Sequence, residues 1–200
     1  MDFVCSVLDK IGIAYTKGIA GTGIVGFIPS TNPNALEECV ALRADLDALP
    51  IIEENNTSYK STRPGIMHAC GHDGHTAMLL GAAHYLSQHK NFDGTVYVIF
   101  QPAEEGPPAN EEGGAPLMIK EGVMDNPKVD AVFGLHISSA LEIGKIKYKS
   151  GSMMASSDWF TIKIKGKQTH GSTPWTGIDP IVVGTQIINN LQTIVSRQQD

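Results

Sequence analysis

The chain has 200 residues, 42% of them hydrophobic and 18% charged, with a formal net charge of −6, so it can bury the core of one domain or somewhat more. The acidic balance and the lack of any Lys/Arg cluster argue against a nucleic-acid partner. No apolar run approaches the roughly 18 residues of a membrane span.

Met1 to Ile13 reads as a helix, because Phe3, Val4, Val7, Leu8 and Ile11 recur at helical spacing, with Gly12 as its stop. The same stretch lacks the basic segment and long apolar run of a signal peptide. Three sparse cysteines, Cys5, Cys39 and Cys70, point to a reduced, cytoplasmic chain without a disulfide framework. Gly23–Pro29 and Glu38–Asp45 read as strands. Thr76–Gln88 is Ala/Leu-rich and reads as a helix, with Asp73 or Thr76 as its cap. Gly94–Pro102 is a nearly continuous β-branched run, the pattern of a strand covered on both faces. Gly113–Glu121 reads as a helix and Val129–Ile137 as another buried strand.

Strands alternating with helices imply an α/β fold with a mostly parallel sheet flanked by helices. Such sheets bind ligands beyond the carboxyl ends of their strands. Asp45, Glu104, Glu105 and His136 all fall at or after strand ends, so one rim should gather them. After Gly151 the pattern changes. Asp158–Lys167 alternates polar and apolar residues like a strand with one wet face, and Asp179–Ser196 reads as a helix with Pro180 in its first turn.

The chemistry-bearing residues cluster in a few stretches. In HACGHDGH, Cys70 and His72 could share a zinc-like ion only in the turn before a helix, since positions i and i+2 of a helix diverge. The plainer alternative is a buried thiol beside exposed histidines. Glu104 and Glu105 follow a buried strand directly, so one could bind metal while the other moves protons, or both could belong to an acidic loop. His136 is either a ligand or a satisfied core residue. Asp45, nearer its strand end than Asp47, could ligate metal or orient a ligand histidine; turn chemistry before Pro50 would also explain the pair. His170 is a solvated loop residue or a donor to an oxyanion.

Six stretches in order, RADLDALP, MHACGHDGHTAMLLGAA, FQPAEEG, GGAPLMIKEG, GLH and GKQTHGSTPWTGIDPI, closely resemble the metal-dependent amidohydrolases that cleave N-acyl amino acids. These are the aminoacylase-, hippurate hydrolase- and auxin-conjugate hydrolase-like enzymes, relatives of the zinc carboxypeptidases. The resemblance spans nearly the whole chain. It implies two divalent ions of zinc, manganese, nickel or cobalt type, held by Cys70, His72, Glu105 and His136, with the cysteine bridging. It implies that Glu104 is the general base, passing a proton from water to the leaving amine. It makes His170 a lid histidine that holds the substrate's carbonyl oxygen or carboxylate.

The implied substrate is an N-acyl amino acid or short peptide. The implied fold is a zinc-peptidase-like catalytic domain over 1–152, followed by the first strand and helix of an α+β lid over 153–200 that makes a homodimer. Members of that family run to roughly twice this length, two domains of the usual size. An H-x-x-P-E-L-type segment, most of the lid and a late metal-binding histidine are absent from these residues. A second expectation is therefore a truncated chain that binds metal without activity of its own.

Overall fold

The computed structural model describes residues 1–32, 38–154 and 158–198. Its contacts divide the chain into two compact units, Met1–Ile146 and Lys147–Asp200.

The first unit opens with helix α1 (Asp2–Ile11), closed by Gly12 in the left-handed conformation that an L side chain disfavours. A hairpin follows, β1 (Ala14–Ile19) and β2 (Gly23–Pro29), and then β3 (Cys39–Asp45). Helix α2 (His72–Gln88), β4 (Thr95–Gln101), α3 (Gly114–Lys120) and β5 (Ala131–Gly134) complete it. The strands form one sheet in the order β1-β2-β4-β3-β5.

The sheet is mixed, which corrects the expectation of a mostly parallel one. β3 pairs parallel with β4 and β5, whereas β2 pairs antiparallel with β1 and β4. The cause is β1. Its residues are exposed or half-buried with none buried, so hydrophobicity does not reveal it. The tight turn from Ile19 to Gly23 then forces the antiparallel sense.

The alternation of side chains along the inner strands divides the core in two. Val98 and Phe100 of β4 pack with Ile24, Ile28, Ala44, Leu8 of α1, and Leu79, Leu80 and Ala83 of α2. Tyr97 and Ile99 point the other way and pack with Val25, Cys39, Ala41 and Met118 of α3. Burial on both faces explains why β4 reads as an unbroken apolar run.

Parallel pairing aligns the carboxyl ends of three strands. Asp45 lies beside Gln101, and Gly134 beside Arg43. The expected rim exists, although β5 ends at Gly134 and leaves His136 in the segment beyond it.

Helix α2 begins four residues earlier than expected, at His72, behind Gly71 at φ 89° and with no side-chain cap. Thr76 is inside the helix and donates its hydroxyl to the Asp45 carbonyl at 3.0 Å, a tertiary bond that a local capping pattern does not show.

In the second unit, helix α4 (Pro180–Thr193) starts where expected. Asp179 caps it by accepting from the amides of Ile181 and Val182, and the helix runs on as a wider turn over Ile194–Gln198. The expected strand over Asp158–Lys167 does not form. Among the described residues its regular pairing is a single bridge, Lys167 with Ile178. An alternating pattern gives a strand only where a neighbouring strand takes up its N–H and C=O groups.

None of the described helices is long and apolar enough to cross a membrane. Phe100 is fully buried at the centre of the larger core, so Phe100→Ala should destabilise the first unit by about 3–5 kcal/mol. The check is the denaturant midpoint of the chain at constant slope.

Candidate metal centre

Three segments bring donors to the rim: the turn between β3 and α2, the turn after β4, and the residues after β5. Gly71 is left-handed, and this lets Cys70 sit in the turn while His72 opens the helix. Only in that arrangement can residues two apart share an ion.

His72 is almost fully buried. Its Nδ1 lies 3.1 Å from the Asp47 carbonyl and 3.2 Å from Asp47 Oδ1. Both are acceptors, so Nδ1 carries the ring proton and Nε2 presents a lone pair. Among the described residues that Nε2 has no hydrogen-bond partner. Around it stand Asp45 Oδ2 at 3.7 Å, Glu104 Oε2 at 3.7 Å and Glu105 Oε1 at 3.8 Å. A buried nitrogen lone pair facing three carboxylates is costly by itself, and a cation among them relieves both the lost solvation and the repulsion.

The other donors converge here. Cys70 Sγ lies 3.5 Å from His136 Nε2. His136 Nδ1 bonds the Ile137 carbonyl at 2.5 Å, so its proton sits on Nδ1 and Nε2 faces the thiol. Donor atoms of Cys70, His72 and His136 lie within 4.8 Å of one another, and so do those of His72, Glu104 and Glu105. A sulfur, two imidazole nitrogens and carboxylate oxygens form a donor set for a borderline transition ion.

Burial pushes the Cys70 thiol above its ordinary value, and the hydrogen bond and charge of Glu105 with the charges of Glu104 and Asp45 add to this. The metal-free site therefore holds a thiol, and an ion has to displace its proton.

Two aspartates divide the support. Asp47 holds His72 and also takes the Glu105 amide on Oδ2 at 3.0 Å, so one carboxylate fixes two candidate ligands. Asp45 is fully buried and bonds His75 Nδ1 at 2.6 Å and Arg43 at 2.7 Å. Burial alone would raise its pKa, but the His75 bond and the Arg43 charge overcome this and hold it below the usual carboxylate value. Of the two, the sequence favours Asp45 as a ligand or as the residue that orients a ligand histidine; the hydrogen bonds to His72 come from Asp47. His75 was not singled out at all. Its signal was its place three residues after His72, one helical turn away.

After β4 the chain turns through Ala103 at φ 49°, a conformation costly for a residue with a Cβ. This turn delivers Glu104 and Glu105 to the rim. His170 belongs to the second unit, where Nδ1 accepts from the Ser172 amide at 3.2 Å and lies 2.8 Å from its hydroxyl.

Residues 41–193 match the sequence profile of peptidase family M20/M25/M40. The chain is 44% identical over 194 residues to IAA-amino acid hydrolase ILR1-like 5 of Arabidopsis thaliana, covering 96% of this chain and 42% of that protein. It is 46% identical over 199 residues to the N-acyl-L-amino acid amidohydrolase of Geobacillus stearothermophilus, covering 99% and 51%. The crystal structure of Bacillus subtilis YXEP, described as a dinuclear metal binding peptidase from the M20 family, superposes with a TM-score of 0.67 at 38% identity. That match covers 75% of this chain and 40% of YXEP. The chain thus spans about half the length of the relatives it matches.

Asp47→Ala should weaken divalent-metal binding by roughly 10–100-fold, because it frees both the His72 ring and the Glu105 amide. A competitive chelator titration checks this. Binding should also release a proton from Cys70, so affinity should rise with pH through neutrality. Cys70→Ser should flatten that rise.

Proposed function

The chain belongs to peptidase family M20/M25/M40, and on that footing we propose that the protein hydrolyses the amide bond of N-acyl amino acids or short peptides. The observation that carries this reading is the buried, unpartnered His72 Nε2 facing three carboxylates. The names of the relatives point to the substrate class.

Cys70, His72, Glu105 and His136 would hold two divalent ions of zinc, manganese, nickel or cobalt type. When bound, the ions would supply Lewis acidity toward the amide carbonyl and toward a water molecule.

The remaining work falls to the chain's own side chains. Glu104 is the more exposed of the paired glutamates and is free of the backbone bond that ties Glu105 to Asp47. It takes the proton from the attacking water and delivers it to the leaving amine nitrogen. His170 donates to the substrate's carbonyl oxygen or carboxylate. Its Nδ1 accepts from Ser172, which leaves the ring proton on Nε2 for that purpose.

In this reading residues 1–152 are the catalytic domain, and 153–200 begin a lid through which two copies pair. The three cysteines are free thiols, in keeping with a cytoplasmic location.

A second reading, a metal-binding chain without turnover of its own, is favoured by the apolar surface at the end of β5 and just beyond it, where Phe133 and Leu135 are 61% and 55% exposed. One experiment separates the two. The purified chain is loaded with manganese or zinc, its metal content is measured, and hydrolysis of N-acetyl and N-benzoyl amino acids is followed. We expect bound metal with turnover, and in Glu104→Gln a loss of at least about 100-fold in kcat with metal retained. Unchanged kcat in Glu104→Gln would remove Glu104 as the base. Bound metal without turnover would favour the second reading.

A further inference from the structure

We propose that His75 is a positioning residue, which sets the place and ring tautomer of His136 through the backbone of Ile137 without itself touching an ion. The inference rests on the reading of His136 as a metal ligand.

Three of the closely grouped donors are Asp45, His72 and His75, which at first sight makes His75 a ligand. Its hydrogen bonds argue otherwise. His75 is 2% exposed. Its Nε2 accepts the Ile137 amide at 2.9 Å, so the ring proton is on Nδ1, where it is donated to Asp45 at 2.6 Å. Neither ring nitrogen has a lone pair left for an ion.

Ile137 is held in two further ways. Its side chain packs on Gly71, where an added Cβ would stand 2.7 Å from Ile137 Cγ1. Its carbonyl takes the His136 Nδ1 proton. One residue therefore receives the His75 ring on its N–H and the His136 ring on its C=O. The two imidazoles also touch edge to face, with centroids 4.6 Å apart. The chain of bonds runs from Asp45 to His75, to the Ile137 backbone, to His136, and ends with His136 Nε2 directed at Cys70. β5 has already ended at Gly134, so strand pairing does not place His136. In this structure α2 does, through His75 and Gly71.

A glutamine can imitate His75, since its amide N–H can reach Asp45 while its oxygen faces a donor; here the N–H of Ile137 would need the oxygen. A leucine fills similar space and does neither. The test is a titration of the metal-free chain with cobalt(II), following the thiolate-to-cobalt absorption, in the unsubstituted chain, His75→Leu, His75→Gln and His136→Ala.

We expect His75→Leu to weaken the same cobalt equivalent that His136→Ala weakens, by roughly 10–100-fold, and His75→Gln to restore it. Unchanged cobalt affinity in His75→Leu, with His136→Ala weakened, would overturn the inference and leave the ligand reading standing. No effect of His136→Ala would overturn the ligand reading itself. A His75→Gln as defective as His75→Leu would mark His75 as a ligand.

Should His75→Leu fail to fold, long-range ¹H–¹⁵N spectra of the unsubstituted chain decide. His75 should show a protonated Nδ1 and a bare Nε2 that zinc leaves in place, while His136 Nε2 takes a metal-bound shift. A metal-bound shift at His75 Nε2 would overturn the inference.

Discussion

A buried imidazole nitrogen that faces only acceptors is a position a folded chain can hold at low cost once a cation fills it. His72 Nε2 is such an atom, and much of the first unit can be understood as what is needed to keep it there. The ring must carry its proton on Nδ1, which Asp47 enforces. It must open a helix just after a cysteine, and left-handed Gly71 allows this. Carboxylates must come near, and the turn at Ala103 brings Glu104 and Glu105 to that place beside Asp45.

The sheet makes this possible over distance in sequence. Parallel pairing of β5, β3 and β4 sets three strand ends side by side, and each end continues into a segment that carries a donor or its support. Two aspartates two residues apart on one strand end then serve different clients. Asp47 orients one imidazole and one backbone amide. Asp45, locked by Arg43 and His75, anchors the segment after β5. β3 ends at Asp45, and Asp47 beyond it bonds the Nδ1 side of the same His72 ring whose Nε2 faces Asp45. The guanidinium of Arg43 also bonds the Gln101 side chain at 2.8 Å, so the rim of β3 is tied to the rim of β4 by side chains as well as backbone.

Much of this was legible in the sequence, for reasons that differ by element. β2, β3 and β4 are covered by helices on the sheet faces, and burial writes itself into composition, so their positions were clear. The ligand candidates stood out as residue types, but a buried thiol and an acidic loop remained open readings, and only the resemblance of six ordered stretches to a known family implied the set. β1 was hidden because an exposed edge strand carries little hydrophobic signal. The start of α2 was hidden because Gly71 caps it by conformation and no side chain marks it. The roles of Asp47 and His75 depend on which acceptor lies within hydrogen-bond reach of which ring, and spacing along the chain does not encode this. Over Asp158–Lys167 the alternating pattern was real, but a pattern specifies a face and a partner strand supplies the structure.

On the reading proposed above, Cys70, His72 and their neighbours hold an ion through a thiolate. The most direct measurement is X-ray absorption at the zinc edge of the zinc-loaded chain. We expect a sulfur scatterer at about 2.3 Å together with nitrogen and oxygen scatterers at about 2.0–2.2 Å, the sulfur disappearing in Cys70→Ser. A shell of nitrogen and oxygen alone in the unsubstituted chain, with no sulfur to lose, would contradict it.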